Sequence, residues 1–370
     1  MTRRLRLGVV GTGLIAQVMH LHHLAGMKDQ FELTAVCDIV PGSARACADK
    51  YGIAGVFTDW RDLIAEPLDA VLVLTTGSHA PIVTAAARAG LHVLVEKPVC
   101  YSVAEGKVML AAAEQAGTVL MVAYPKRFDP AYTLFGKEAA ELSGTRLLRV
   151  TTLESPMEPY IGHYDLLPPP SPPAGLVTRL RAEHDAAIGA AIGTDSSAFE
   201  RRIYHQVLLD SMVHELNAVR GLLGEPDRLD YVDARDGGVT AMMTFGDIPV
   251  AFHWVDLPGI ARYQMELAFF SPDRRVTLSF PSPFLRNEPA TVVIEGGEPG
   301  AARSWRNSEV VSYESGFKRE IAAFYDCVVN GGSPVTSGLD GVRDIALCEA
   351  IIKCHRLGQP VEAPTRPAGL

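Results

Sequence analysis

Three side chains in this sequence suit the movement of a single proton: Lys97, Asp210 and His214. Lys97 stands in the triplet Glu96-Lys97-Pro98, at the end of the apolar run LHVLVE over residues 91–96. Pro98 holds the residue before it in extended geometry, and an X–Pro bond can be cis. A desolvated lysine lowers its pKa and can join proton transfer. Asp210 and His214 lie four apart in a stretch, residues 204–223, with helical periodicity. That spacing puts them on one face, one turn apart. Histidine titrates near neutrality and can take a hydroxyl proton as hydride departs. An aspartate one turn away can orient the imidazole and stabilise its cation. A surface lysine after a strand, or an ordinary i,i+4 surface pair, would present the same residue types, so neither element decides the matter alone.

A second constellation concerns a cofactor. Gly11-Thr12-Gly13-Leu14-Ile15-Ala16 follows the apolar run LRLGVV and opens a helix-like stretch. In that context Gly11 allows a tight turn, Gly13 lets backbone approach a pyrophosphate, and the small Ala16 lets helix and strand pack closely. The helix N-terminus offers free N–H groups to phosphates. Asp38 ends the next strand, 27 positions after Gly11. A carboxylate there accepts bonds from the adenosine ribose and repels a 2′-phosphate, which favours NAD over NADP. Arg45 nearby weakens that preference, and a plain turn acid would look the same.

These residues require a particular set of elements. Strand-like runs begin at Leu5, Phe31, Asp69, Leu91 and Thr118, separated by helical stretches, and Ser102 and Glu105 form a capping box. Such alternation predicts a parallel, doubly wound α/β sheet over residues 1–125. Residues 126–370 change character. A strand is expected over 146–154 and helical periodicity over 204–223. Several β-rich runs from 229 to 280 read as an antiparallel meander, and two terminal helices follow. The overall expectation is an α/β Rossmann domain followed by an α+β domain with a large, mostly antiparallel open sheet. Residues 165–200 hold a proline run and then an alanine-rich stretch, and are read as an insertion or lid with a short helix.

Composition sets bounds. Apolar residues are 48% of the 370, ample for two cores, and the net charge of −9 leaves no basic footprint for nucleic acid or an anionic membrane. No run of 18 uninterrupted apolar residues marks a membrane span. The six cysteines include no C-x-x-C pair and are read as reduced, mostly buried thiols of a cytoplasmic protein. Arg3, Arg4 and Arg6 before an apolar run imitate a signal peptide, but cleavage would delete the first strand and its glycine loop. His20, His22 and His23 cluster, but only His20 and His23 closely share a face, so a structural or pocket role is expected and no metal site. Tyr160, His163, Tyr164 and Asp165 form a polar aromatic cluster that is expected to face substrate; a surface loop is the competing reading.

Taken together, Gly11–Ala16, Asp38, Glu96-Lys97-Pro98 and Asp210-Ser-Met-Val-His214 resemble the glucose–fructose oxidoreductase / inositol dehydrogenase / MocA family, and the resemblance runs nearly the whole length. It implies that His214 is the acid/base, Asp210 its orienter, and Lys97 the group that polarises or relays the substrate proton. It implies that Glu96 holds the nicotinamide ribose and that Thr75, Thr76 and His79 line the cofactor. Tyr124 and Arg127 fall in the family's stretch after the sixth strand and join the substrate- and cofactor-binding candidates. It also implies a homodimer or homotetramer built on the second sheet. Departures occur where the family often carries glycines: Tyr204-His-Gln-Val207 precedes the D-x-x-x-H motif, and Met212 lies inside it. Pro125 interrupts a usual polar pair.

The expected activity is NAD-dependent oxidation or reduction at a secondary alcohol or ketone of a sugar, cyclitol or aminosugar, with secondary-metabolite biosynthesis as one setting. The proline-rich insertion points to a large substrate such as a glycoside. Two alternatives are an NAD-dependent glycosidase and a dinucleotide-binding regulator without turnover; intact Lys97, Asp210 and His214 argue against the second.

Overall fold

The computed structural model describes residues 3–167, 171–298 and 300–364. Its first sheet contains β1 (Leu5–Val10), β2 (Phe31–Cys37), β3 (Gly55–Phe57), β4 (Ala70–Val73), β5 (His92–Glu96) and β6 (Leu120–Ala123). The order is β3-β2-β1-β4-β5-β6, all parallel. The chain reverses its winding direction between β1 and β4, and ligands of such sheets sit at that switch, off the strands' carboxyl ends. Strands β4 and β6 are apolar and buried throughout because helices cover the sheet. Strand β3 and the short helix Trp60–Ile64 carry too little pattern to be foreseen.

The second sheet has nine strands: β7 (Leu147–Glu154), β8 (Arg228–Arg235), β9 (Gly238–Phe245), β10 (Ile248–Asp256), β11 (Gln264–Phe270), β12 (Arg274–Phe280), β13 (Thr291–Gly297), β14 (Ser304–Val310) and β15 (Val361–Glu362). Their order is β14-β13-β12-β11-β7-β10-β9-β8-β15, antiparallel except for the β7–β10 pair. Along β9, buried and half-buried residues alternate, which is the pattern of a sheet with one face on a core. The expected meander stops at Phe280, whereas β13 and β14 continue the sheet beyond it. β14 (SWRNSEV) is an exposed polar edge, so it lacks the apolar alternation by which a strand announces itself.

In space the division between the halves is not sequential. Helix Gly316–Asn330 buries Ile321, Phe324 and Tyr325 in the core of the first sheet, and Tyr325 donates its hydroxyl proton to the Arg3 carbonyl (2.7 Å). Each such buried side chain contributes roughly 1.5–3 kcal/mol. Thr336 then exchanges two bonds with Val122 on β6 (2.8 and 2.7 Å). The chain end thus returns to the first sheet and fastens the two halves together.

Two helices next to the glycine loop and the histidine motif contain π-helical turns, Ala16–His20 and Ile203–Met212. In such turns the bonds run i→i+5, and they occur often at functional sites. Between the halves the segment 165–200 holds more helix than expected. A 17-residue helix, Leu176–Ile192, is followed by Ala198–Arg202, which Ser197 and Glu200 start with a capping box. Residues 168–170, in the proline run, lie outside the described residues.

Candidate active site

A cleft of about 730 Å³ opens at the carboxyl ends of β1, β4, β5 and β6, between the two sheets. Its walls include Gly13, Leu14, Ile15, Thr75, Thr76, His79, Glu96, Lys97, Asp210 and His214 from the candidates above.

The cofactor end is built by the glycine loop. Gly11 has φ +98°, and a Cβ there would meet the Leu74 and Thr75 backbone at 2.7–2.8 Å. Only glycine lets β1 and β4 approach so closely. Around Gly13, by contrast, there is open space where a Cβ would be. Open space above a helix's first turn is what a pyrophosphate needs, so the residues fit a dinucleotide. Ala16 is fully buried. The Asp38 carboxylate accepts from the Thr12 N–H (2.9 Å), the Thr12 hydroxyl (2.7 Å) and the Val40 N–H (2.9 Å). It therefore braces the loop, a task the spacing argument did not include.

The next set surrounds the end of β5. Buried His20 pairs with Glu96 (Nε2 to Oε1, 2.7 Å). Burial opposes charge on Glu96, but the His20 pairing outweighs it and the net shift is downward, so the carboxylate stays ionised. The histidine cluster thus supplies one residue that holds Glu96 in place. Among the described residues no group of three or more His, Cys, Asp or Glu could hold a metal ion. His79 bridges the Thr75 and Pro98 carbonyls (2.7 and 2.8 Å) and ties the loop after β4 to the loop after β5. The Lys97–Pro98 bond is cis.

Lys97 differs from expectation in its partner. Its ammonium donates to the Asp210 carbonyl (2.5 Å) and to Asp210 Oδ1 (3.0 Å). Burial alone would lower the Lys97 pKa, but Asp210 and Glu96 more than reverse this, and the net shift is upward. Lys97 is accordingly a held cation, not a desolvated base. Asp210 in turn is held below its ordinary pKa, chiefly by Lys97. Because residues 203–212 wind with i→i+5 bonds, the four-residue spacing does not put the Asp210 carboxylate on the imidazole of His214. Among the described residues, Nδ1 of His214 has no hydrogen-bond partner. Burial, with Lys126 and Lys97 adding to it, holds His214 well below its usual pKa. The imidazole is neutral at pH 7 and free to accept a proton.

Other candidates stand away from the cleft wall. Tyr124 is buried behind His214, its ring edge-on at 5.9 Å. Arg127 faces the other way, bonding the Asn217 carbonyl and side chain (3.3 and 3.2 Å) and pairing with Asp340 at 3.6 Å. Its neighbour Lys126 lines the cleft instead, 3.8 Å from buried Glu215. Residues Pro125–Phe128 form one 3₁₀ turn, in which adjacent side chains point about a third of a turn apart. Sequence could not say which of the two basic residues turns inward. The Tyr160 hydroxyl accepts from the N–H of Tyr263 (2.6 Å), and Tyr263 itself lines the cleft. His163 is exposed and packs on Tyr164. Tyr164 carries the Arg286 guanidinium 4.1 Å over its ring, while Arg286 donates to the Val18 carbonyl (2.6 Å). Residues 160–167 thus form a strap from the second half onto the phosphate-loop helix. Asp165 completes it through Lys50, whose ammonium lies 3.3 Å from its carboxylate. The sequence reading also missed Tyr101, His184 and Arg286, which reach the wall from distant segments.

The fold and cleft define a class: an NAD-binding Rossmann unit that shares one cleft with an open, mostly antiparallel sheet. Residues 5–124 match the model of the oxidoreductase family with an NAD-binding Rossmann fold. Over that stretch, about the first third of the chain, the sequence is similar to the glucose–fructose oxidoreductase / inositol dehydrogenase / MocA family. Inositol 2-dehydrogenase of Salmonella typhimurium (strain LT2) is 35% identical over 132 residues, 35% of this chain and 39% of that protein. The alignments to the first curated relatives cover less than half of those proteins' length. D-apiose dehydrogenase of Paraburkholderia graminis is 26% identical over 97% of this chain and 90% of its own. Levoglucosan dehydrogenase in complex with NADH and levoglucosan superposes with a TM-score of 0.76 at 19% identity, over 98% of this chain and 100% of that one. That likeness establishes the common fold.

Proposed function

We propose that the protein is an NAD-dependent dehydrogenase that oxidises a secondary alcohol on a sugar or cyclitol, or reduces the ketone. The single observation that carries this is the convergence of Lys97 and His214 on one cleft that also opens onto the glycine loop. The relatives named for inositol and apiose oxidation support the substrate class.

Gly11–Ala16, Asp38, Thr75, Thr76, His79 and Glu96 would hold the cofactor, which when bound accepts the hydride. The remaining work belongs to the chain. The Lys97 ammonium, kept charged by Asp210, stabilises negative charge developing on the substrate oxygen. Neutral His214 takes the hydroxyl proton as the carbon loses its hydride, giving ketone and imidazolium. In the reverse direction the imidazolium returns that proton. Tyr124 limits the tilt of the ring from behind. NAD is preferred over NADP because the Asp38 carboxylate sits at the end of β2, where it would repel a 2′-phosphate.

Purified protein incubated with NAD and a panel of cyclitols, aldoses and glycosides tests the proposal. A dehydrogenase accumulates NADH in step with ketone. Sugar release without net NADH would instead identify a glycosidase, and neither product would identify a binding protein.

A further inference from the structure

Helix Leu176–Ile192 is exposed along most of its first half, and His184 is its one residue on the cleft wall among the described residues. His184 lies over the loop after β4, so close that a Cβ on Gly77 would fall 2.4 Å from its Nε2. Its ring meets Tyr101 edge-on at 5.6 Å and His205 at 6.0 Å, and the Tyr101 hydroxyl is 2.9 Å from His205 Nε2. His205 comes five positions before Asp210 inside the π-helical stretch, so i→i+5 winding stacks the two on one face. The three rings therefore stand one helical turn from the Lys97–Asp210 pair.

This wall is polar without being cationic. No described group bonds His205 Nδ1, either nitrogen of His184, or the amide of exposed Gln206. Each of these residues offers a donor or an acceptor, as sugar hydroxyls require. Aromatic rings beside them suit the apolar face of a sugar ring. The charges that act on His205, apart from His184, are the carboxylates of Asp210 and Asp185. Lys97 and Lys126 are committed to Asp210 and Glu215. A phosphate would meet repulsion here.

We propose that Tyr101, His184, His205 and Gln206 form a second sugar subsite beside the reacting ring, which takes the uncharged ring or aglycone of a neutral glycoside. It rests on the dehydrogenase reading and narrows its substrate from sugars in general to neutral glycosides. His184 and His205 would then set specificity and leave the proton chemistry to Lys97 and His214.

The test is steady-state NADH formation by the full-length enzyme on a free monosaccharide, a neutral disaccharide or aryl glycoside of the same sugar, and its UDP-linked form. Wild type should prefer the neutral glycoside. In His184→Ala and His205→Ala the ratio of kcat/KM for glycoside over monosaccharide should fall about tenfold or more, because hydroxyls of the second ring lose their hydrogen-bonding partners. His205→Gln, which keeps hydrogen-bonding atoms, should recover part of it. The NAD-induced rise in Tm checks that each variant is folded. An unchanged ratio with active enzyme, or a preference for the UDP-sugar, overturns the subsite alone. NADH formation on no sugar in the panel overturns the dehydrogenase reading and the subsite with it.

Discussion

At the scale of single residues, the decisive feature is the unequal treatment of two bases. Lys97 is kept charged by Asp210, and His214 is kept neutral by burial and by the cations near it. A neutral imidazole can accept the proton that a charged lysine cannot. His214→Ala should therefore lower kcat by about 10²–10⁴-fold, the usual worth of a general base, while NAD binding measured by calorimetry changes little. Undiminished turnover would sink the assignment. Protonation disables His214 as a base, and its pKa is depressed, so the acid limb of kcat/KM for oxidation should lie below pH 6.5. A limb above that value in the pH–rate profile would contradict a neutral His214. Asp210→Asn removes the charge that holds Lys97, and should lower kcat/KM while shifting the lysine's titration downward, read from the alkaline side of the same profile.

The elements explain why the spacing argument succeeded for position and failed for partnership. The D-x-x-x-H motif does lie on a helix, but a helix whose turns are π-helical up to Met212 and α-helical from Val213. That change in winding lets Asp210 reach Lys97 while His214 turns to the cleft. Nothing in the residue types announces it. The same holds for the alanine-rich segment. Its helical propensity is plain, yet which side chain would reach the cleft depended on where the helix docks. Its anchor is testable. Ser197 caps helix Ala198–Arg202, and Glu200 bonds Arg356 on the terminal helix (2.7 Å). Ser197→Ala should cost about 1 kcal/mol, read as a lower denaturation midpoint. Arg356 holds the Glu200 pKa down to about 2. A carboxylate depressed in the folded state adds stability above its unfolded pKa, near 4.5, and loses it as pH falls toward 2. Glu200→Gln should accordingly destabilise the protein at pH 7 and make little difference at pH 2 and below.

At the scale of the whole molecule, the cleft exists because the chain crosses between its halves repeatedly. The strap of residues 160–167, Arg286 on the phosphate-loop helix, and helix Gly316–Asn330 in the first core all join them. A cofactor bound between such halves stabilises the entire fold: at 100 times Kd the gain is about 2.7 kcal/mol. NAD should raise Tm by several degrees in a thermal-shift measurement, and NADP at equal concentration by less; the reverse order would show that Asp38 does not select. The nine-stranded sheet has one face on the core and an outer face bearing Arg149, Glu266 and the exposed Tyr231. We propose that copies of the chain associate through this face, so that light scattering gives a mass two or four times that of the chain.

The amino-acid order by itself determined what depends on neighbours along the chain. Alternating apolar runs and helical stretches specified the parallel sheet. Gly11, Gly13 and Ala16 specified a loop open to a dinucleotide, because backbone freedom and the absence of a side chain are local properties. Glu96-Lys97-Pro98 and Asp210…His214 marked residues that the fold brings to one cleft. Tertiary structure alone decided the pairings. Lys97 met Asp210 across 113 positions of chain, His20 met Glu96 across 76, and Lys126 faced inward where Arg127 faced out. It also brought His184 to the cleft from a helix that shows no hint of it. A side chain's type sets what it can do, and the packing of distant segments, together with the winding of each helix, sets what it meets.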